Sequence, residues 1–396
     1  MVGALNVSRF YTVNESLGFK RGDDALRKIG DRLSSVLQGN DMVARYEGDE
    51  FLFMAQSLET LESVRRLGQT VIALFNEPLE LDDGSLISVS VNLGFSVFPD
   101  GSETADELRR KADLALQRVR KDPDRRFEFY SEEMSQEVLE GLAMERSLKD
   151  AIQNGAIVPF YQPQFEASSG RLCGMEVLAR WPLAKDGMVS PGRFIPLAEE
   201  TGLIHPLMEH LVDAVLAQIK QWRQDGLSPQ PAAINVSAHQ IRRHGFFDWL
   251  FDRLAHYNLG IEVLTVELTE SAFLLDFVHV KSTLEGLGEK GVRLSIDDFG
   301  TGYSSLSYLS QLPFRELKID QSFVSEVDVS RRKKAVVKGI IELARALELD
   351  VVAEGVETES QLSELKALGC DSVQGFYLGR PMDAGAFTDL LLAQKH

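Results

Sequence analysis

Cysteine is nearly absent: Cys173 and Cys370 are the two in a chain of 396 residues. Two thiols cannot build a disulfide framework, and a reducing cytoplasm is the expected setting. Positive charge is also short, with 42 Lys and Arg against 60 Asp and Glu and a net charge of −18. Both halves of the chain share the deficit, so no segment is basic enough to attract a nucleic-acid backbone. No apolar run approaches the ~18–20 residues of a membrane span, and no basic stretch leading into an apolar one opens the chain. Internal repeats, low-complexity tracts and Pro-rich linkers do not stand out. What is present is an acidic globular composition, 44% hydrophobic and 26% charged, which excludes wholesale disorder. At roughly 150 residues per domain the length predicts two or three domains, and it also accommodates one barrel of roughly 250 residues.

The first part of the chain mixes two periodicities. Leu26, Ile29, Leu33, Val36 and Leu37 recur at helical spacing over 23–37. A hairpin-like turn follows at Arg45–Phe53, then a helix over 59–75, a strand over 86–98 and a helix over 104–119. That order predicts an α+β domain with antiparallel pairing. Residues 132–152 read as a helix carrying Met134, Val138, Leu142, Glu145, Leu148 and Ile152, and the domain boundary is placed near residue 140. Beyond it, strands are predicted at 157–165, 173–180, 232–237, 263–269, 292–298, 315–320, 350–356 and 372–378. Helical stretches over 205–223, 246–257, 277–289, 333–348 and 359–368 separate most of them. This alternation over roughly 250 residues predicts a (β/α)8 barrel. The first two strands leave no room for a helix between them, so the barrel is expected to start irregularly.

Polar residues stand where those strands should be buried. Glu176, Asn235, Glu267, Asp297, Asp298, Lys318, Asp320, Glu354 and Gln374 fall at or near the C-terminal ends of strands, the face on which barrels build active sites. Any one of these acids alone reads equally well as a solvated strand end. Several of them, each on a different strand, would repel one another at a common mouth without cations. Oxygen ligands of this kind suit Mg2+ or Mn2+, and an adjacent Asp-Asp can touch two ions. Two such ions about 4 Å apart suit phosphodiester hydrolysis, with Lys318 orienting the nucleophile or meeting developing charge. His205, His210, His239, His244 and His256 lack ligand spacing, so a zinc site is not predicted. Cys173 on its apolar strand is expected to be core packing.

Over about 143–390 the chain strongly resembles the EAL-domain family of cyclic-di-GMP phosphodiesterases. The matching segments are Glu176-Val177-Leu178-Ala179-Arg180-Trp181, Asn235-Val236-Ser237, Glu267-Leu268-Thr269-Glu270-Ser271 and Asp297-Asp298-Phe299-Gly300-Thr301-Gly302-Tyr303-Ser304-Ser305. Leu317-Lys318-Ile319-Asp320, Ala353-Glu354-Gly355-Val356-Glu357 and Gln374-Gly375 complete the set. Val177 stands where the signature has Ala, a position that carries no chemistry. The resemblance implies a TIM-like (β/α)8 EAL barrel over 146–396 that hydrolyses cyclic-di-GMP to linear pGpG. It implies one metal ion on Glu176, Asn235, Glu267 and Asp297, and a second on Asp297, Asp298 and Glu354. Glu176, Lys318 and Glu354 would be the catalytic residues, with Lys318 near the attacking water. Gln162, Arg180, Asp320 and Gln374 would hold the dinucleotide. Glu270 would anchor the loop Asp298–Ser305, which in the family couples homodimerisation through the EAL domain to activity.

Residues 1–131 resemble a ferredoxin- or cyclase-like α+β GGDEF (diguanylate cyclase) domain in altered form, joined to the barrel by a helical linker over 132–145. Family members carry a fuller first strand and a preceding helix, which raises the expectation of a missing N-terminal region or a mis-set start. Asn6 stands where the family has its first metal-binding Asp, Ser8 where it has the second, and Tyr11 where it has Lys. Asn14, Gly18, Gly22 and Asp23 match the nucleotide-side pattern, whereas Glu15 and Phe19 replace its Asp and His. The signature itself reads Glu47-Gly48-Asp49-Glu50-Phe51, with Glu47 in place of the first Gly. A Glu there adds a side chain and a negative charge beside a triphosphate. The inhibitory product site wants an Arg where this chain has Gln38-Gly39-Asn40-Asp41. The domain is therefore expected to be catalytically silent, either a structural platform or a GTP sensor. Two other readings stay open: a catalytically dead cyclic-di-GMP receptor signalling through the linker, and residual cyclase activity.

Overall fold

The computed structural model describes the chain except for residues 38, 57–60, 99–103, 123, 184–186, 244, 270–276, 301–310 and 395–396, and the side chains of 238 and 277–279. It divides into two compact units, Met1–Ala143 and Met144–His396.

The first unit is built on a five-stranded sheet of β1 (Val2–Val7), β2 (Met42–Glu47), β3 (Glu50–Met54), β6 (Val91–Ser96) and β7 (Phe127–Phe129), in the order β2-β3-β1-β6-β7. β1 runs antiparallel to both β3 and β6. Helix Phe19–Val36 buries Ala25, Leu26, Ile29 and Leu33, the stripe that its 3.6-residue period puts on one face. Helix Ala105–Lys121 starts on Thr104, whose side chain accepts from the Glu107 amide at 3.2 Å. It packs directly on β6 because position 94 has no side chain: a Cβ there would stand 2.2 Å from Ala112 O and Leu116 N.

The strand expected over 86–98 is in fact two. β5 (Leu86–Ile87) folds back on β4 (Leu79–Glu80) through a turn with Gly84 at φ 78, while β6 joins the main sheet. The β-prone letters run on through the break, because a period-2 pattern cannot register a change of partner strand.

Among the described residues of the second unit nine strands follow in the order β10-β9-β11-β12-β13-β14-β15-β16-β8, and β8 pairs again with β9, so eight of them close into a barrel. They are β8 (Val158–Glu166), β9 (Leu172–Leu183), β11 (Ala232–Asn235), β12 (Leu264–Thr269), β13 (Arg293–Phe299), β14 (Glu316–Ile319), β15 (Asp350–Ala353) and β16 (Ser372–Val373); β10 (Gly187–Val189) pairs outside on β9. Within the barrel β9 and β11 to β16 run parallel, whereas β8 is antiparallel to both neighbours; β10 is antiparallel to β9. The cause is chain length. Ala167–Arg171 between β8 and β9 is long enough for a hairpin and far too short for the crossover that a parallel pair requires. The irregular start expected of the barrel is this inverted strand.

Alternation then sorts the strand residues. Val266 and Leu268, Leu317 and Ile319, and Leu294 and Ile296 join one apolar cluster with helix residues such as Val215, Leu250 and Ile341. The polar residues between them face the other way, into the barrel. No helix among the described residues is long and apolar enough to cross a membrane.

Candidate active site

Lys318 lies at the centre of the barrel mouth. Its Nζ is 2.7 Å from Glu354 Oε1, 2.8 Å from Glu267 Oε2, 3.1 Å from Asp297 Oδ1 and 3.7 Å from Glu176 Oε2. Lys318 and Glu267 are both 0% exposed. Burial alone would lower the Lys318 pKa; the four carboxylates outweigh it and hold that pKa well above the ordinary lysine range. Burial acts on the acids in the opposite sense. Burial, reinforced by Glu176 and Asp297 and opposed by Lys318, pushes the Glu267 carboxyl well up. The same causes raise Glu354 to about 8. Glu267 Oε1 is buried with no hydrogen-bond partner among the described residues. One ammonium therefore does not neutralise this group, and an oxygen atom inside it is left over for a further cation.

Asp297, Asp298 and Glu354 each offer an oxygen within 4.8 Å of the others. Asp298 adopts φ 54, a left-handed conformation that Asp tolerates better than most residues, and its amide donates to Asp297 Oδ1 at 3.0 Å. Burial, then the charges of Asp297 and Asp320, raise the Asp298 carboxyl pKa.

Amides complete the inner wall. Asn235 Nδ2 donates to Glu176 Oε1 at 2.9 Å, and Gln374 Nε2 donates to Glu176 Oε2 at 2.5 Å and to Gln162 Oε1 at 3.0 Å. β11 places Asn235 level with Glu267, and β8 places Gln162 level with Glu176. Gln162, Glu176, Arg180, Asp297, Asp298, Asp320, Glu354 and Gln374 line one cleft of about 420 Å³. Lys318 and Glu267 lie behind its carboxylates, and Asn235 lines an adjoining cavity of about 510 Å³ that shares Arg180, Asp297 and Asp298. Asp320 also caps helix Gln321–Val324 by accepting from the Ser322 amide.

Three residues at the site were not singled out from sequence. Phe376, half exposed, lines the cleft with the Arg380 guanidinium 4.3 Å from its ring centroid; its place two residues after Gln374 was the available signal. Glu357 also lines the cleft. Buried Gln164 donates to Gln374 Oε1 at 2.9 Å, and nothing in a β-prone run marks an uncharged amide as part of a site. Glu270 and the loop segment 301–305 lie outside the described residues, as does His244. Cys173 is half-buried, its Sγ 3.4 Å from Ser372 Oγ, and both cysteines are free.

In the first unit, β2 and β3 present Glu47-Gly48-Asp49-Glu50 at a hairpin tip. Gly48 takes φ 53, so the left-handed position falls on the glycine and Glu47 is accommodated without backbone strain. Asn6 Nδ2 donates to Asp49 Oδ2 at 3.0 Å, and Arg120 pairs with Glu50. Asn6, Asn14, Phe19, Asp23, Gly48 and Asp49 line a pocket of about 440 Å³.

A TIM-like barrel with an acidic, lysine-centred mouth, preceded in the chain by an α+β unit with Glu47-Gly48-Asp49-Glu50 at a hairpin tip, defines the class. The chain belongs to the EAL domain family, whose model matches residues 145–381, and the family "Diguanylate cyclase, GGDEF domain" matches residues 1–126. It is 35% identical over 380 residues to the bifunctional diguanylate cyclase/cyclic di-GMP phosphodiesterase MucR of Pseudomonas aeruginosa, covering 96% of this chain and 55% of that protein. It is 34% identical over 391 residues to the cyclic di-GMP phosphodiesterase NbdA of the same organism, covering 99% and 50%. The oxygen sensor protein DosP of Escherichia coli is 33% identical over 385 residues, covering 97% and 48%. The chain thus spans about half the length of the curated relatives it matches. Among solved structures, a MucR phosphodiesterase in complex with c-di-GMP is 42% identical with a TM-score of 0.60, covering 62% of this chain and 99% of that one. The cGMP-bound form of the EAL enzyme Bd1971 is 28% identical with a TM-score of 0.62, covering 78% and 84%.

Proposed function

We propose that the barrel unit is a cyclic-di-GMP phosphodiesterase that opens one 3′–5′ phosphodiester to give linear pGpG, using two Mg2+ or Mn2+ ions. The observation that carries this reading is the mouth itself: Glu176, Glu267, Asp297 and Glu354 surround a single ammonium within 3.7 Å. The residues fit hard divalent cations, since every spare donor is an oxygen, the acids outnumber Lys318 and Glu267 Oε1 lacks a partner among the described residues. Glu176, Asn235, Glu267 and Asp297 would hold one ion, and Asp297, Asp298 and Glu354 the other. When bound, the ions supply Lewis-acid polarisation of the phosphodiester and a low-pKa water.

The chain's own groups do the rest. Lys318, held as an ammonium by its four partners behind the cleft carboxylates, supplies a fixed positive charge beside the place where negative charge develops. Arg180, Gln162, Gln374 and Asp320 line the cleft that receives the dinucleotide, and orientation by such groups converts encounter into reaction. The reading includes a homodimer through the barrel unit, with Glu270 holding the loop that follows Asp298.

The first unit is catalytically silent in this reading. Asn6 and Asp49 satisfy each other, as do Arg120 and Glu50, and Asn6 offers a metal no negative charge. Its role is that of a structural or regulatory platform, with GTP as the candidate ligand of the 440 Å³ pocket. The test is incubation of the purified chain with cyclic-di-GMP and Mg2+, and separately with GTP and Mg2+. Linear pGpG from the first and no cyclic-di-GMP from the second are expected. Cyclic-di-GMP that binds but stays intact would make the chain a receptor instead.

A further inference from the structure

Both oxygens of Glu176 accept from a side-chain amide: Oε1 from Asn235 and Oε2 from Gln374. Gln374 also donates through Nε2 to Gln162 Oε1. Its NH2 group is therefore committed to one side and its carbonyl to the other, where Oε1 accepts from Gln164 Nε2 at 2.9 Å. Gln164 and Gln374 are 6% and 4% exposed, and 210 positions separate them in the chain.

The direction of this relay matters. A carboxylate only accepts, whereas an amide has a donating and an accepting end. Gln374 turned through 180° would set its carbonyl against Glu176 Oε2 and Gln162 Oε1 and its NH2 against the NH2 of Gln164, three repulsive contacts among buried side chains. Gln164 thus secures from the opposite side the one facing of Gln374 that Glu176 can use. Room for its amide is also built in. Across the β8–β9 ladder its register partner is Gly174, where a Cβ would stand 2.3 Å from Gln164 Oε1. An apolar side chain would fill an interior strand position without the cost of burying an amide. An amide there, with a glycine opposite to admit it, marks directional use.

We propose that Gln164 is a positioning residue: its amide fixes the facing of Gln374, and Gln374 in turn holds the Glu176 carboxylate in its metal-binding orientation. The inference rests on the metal-dependent reading above. Groups that orient a metal ligand through a hydrogen bond change metal affinity by about 10–100-fold when removed.

The test uses the full chain stripped of metal and titrated calorimetrically with Mn2+, with the melting temperature, kcat and KM measured alongside. Gln164→Met keeps the side-chain length and removes the donor. Gly174→Ala leaves Gln164 in place and displaces its amide. Each is expected to weaken one Mn2+ equivalent about tenfold and to lower kcat at limiting Mn2+, with kcat recovering toward wild type as Mn2+ is raised to saturation. If Gln164→Met does not fold, Gly174→Ala carries the same expectation. A lowered melting temperature with wild-type Mn2+ affinity in the folded variants would overturn the proposal and reduce Gln164 to packing. Glu176→Ala separates the two levels: should it also keep wild-type Mn2+ affinity, the metal reading falls and the relay falls with it.

Discussion

Replacing Lys318 with methionine keeps the volume of the side chain and removes the ammonium that four carboxylates share. Wild-type Lys318 is fully buried, with Glu354, Glu267 and Asp297 at 2.7, 2.8 and 3.1 Å. Removing one partner of a buried ion pair typically costs about 3–5 kcal/mol, because the charge left behind has neither water nor counter-ion. For a domain of this size that corresponds to a fall of roughly 10 °C in melting temperature. The acids can escape part of the cost by taking up protons. Glu354 already does so below about 8, and Lys318 is the group that opposes the rise. The deficit of the metal-free variant should therefore be largest near pH 8.5 and shrink toward pH 5. Thermal melts of metal-stripped wild type and Lys318→Met across that range measure it, and a repeat in excess Mn2+ should restore most of the lost stability. A metal-free variant as stable as wild type at pH 8.5, or a deficit that does not shrink at pH 5, would refute the charge-balance argument.

Two further outcomes are expected, the first from the geometry of Glu354 and the second from the proposed role of Glu270. The unfolded chain gives up the Glu354 proton above the ordinary value of 4.5, whereas the folded carboxyl keeps it to about 8. Metal-free wild type should therefore lose stability between those values at up to about 1.4 kcal/mol per pH unit, and urea melts with and without Mg2+ should show the slope flatten when the ion is present. Glu270→Ala should lower kcat and shift the Mg2+ dependence to higher concentration; kinetics unchanged across a Mg2+ titration would leave Glu270 a solvated residue at the start of a helix, worth only ~0.3–1 kcal/mol.

The barrel was legible because most of its strands are short β-prone runs separated by helical spacing, and its irregular start was legible because the gap between the first two runs leaves no room for a helix. The acids were legible for a related reason. Glu267 between Val266 and Leu268, or Lys318 between Leu317 and Ile319, puts a charge where the pattern demands a buried strand. What could not be read depends on partners distant in sequence. Nothing near Gln164 announces Gln374, and nothing near Asn6 shows that Asp49 receives its amide. The break between Ile87 and Val91 was hidden for the same reason, since β-propensity does not say which sheet a strand joins.

The central claim is that the acidic mouth cleaves a phosphodiester, and the most direct measurement is the yield of linear pGpG from cyclic-di-GMP by the purified chain, set beside Glu354→Ala and Glu176→Ala. Wild type with Mg2+ or Mn2+ should convert the cyclic dinucleotide to pGpG and do so only when a divalent ion is supplied. Both variants should keep the folded circular-dichroism spectrum and form no product above background. Wild-type turnover in either variant, or an intact cyclic dinucleotide after prolonged incubation of wild type with excess metal, would contradict the account.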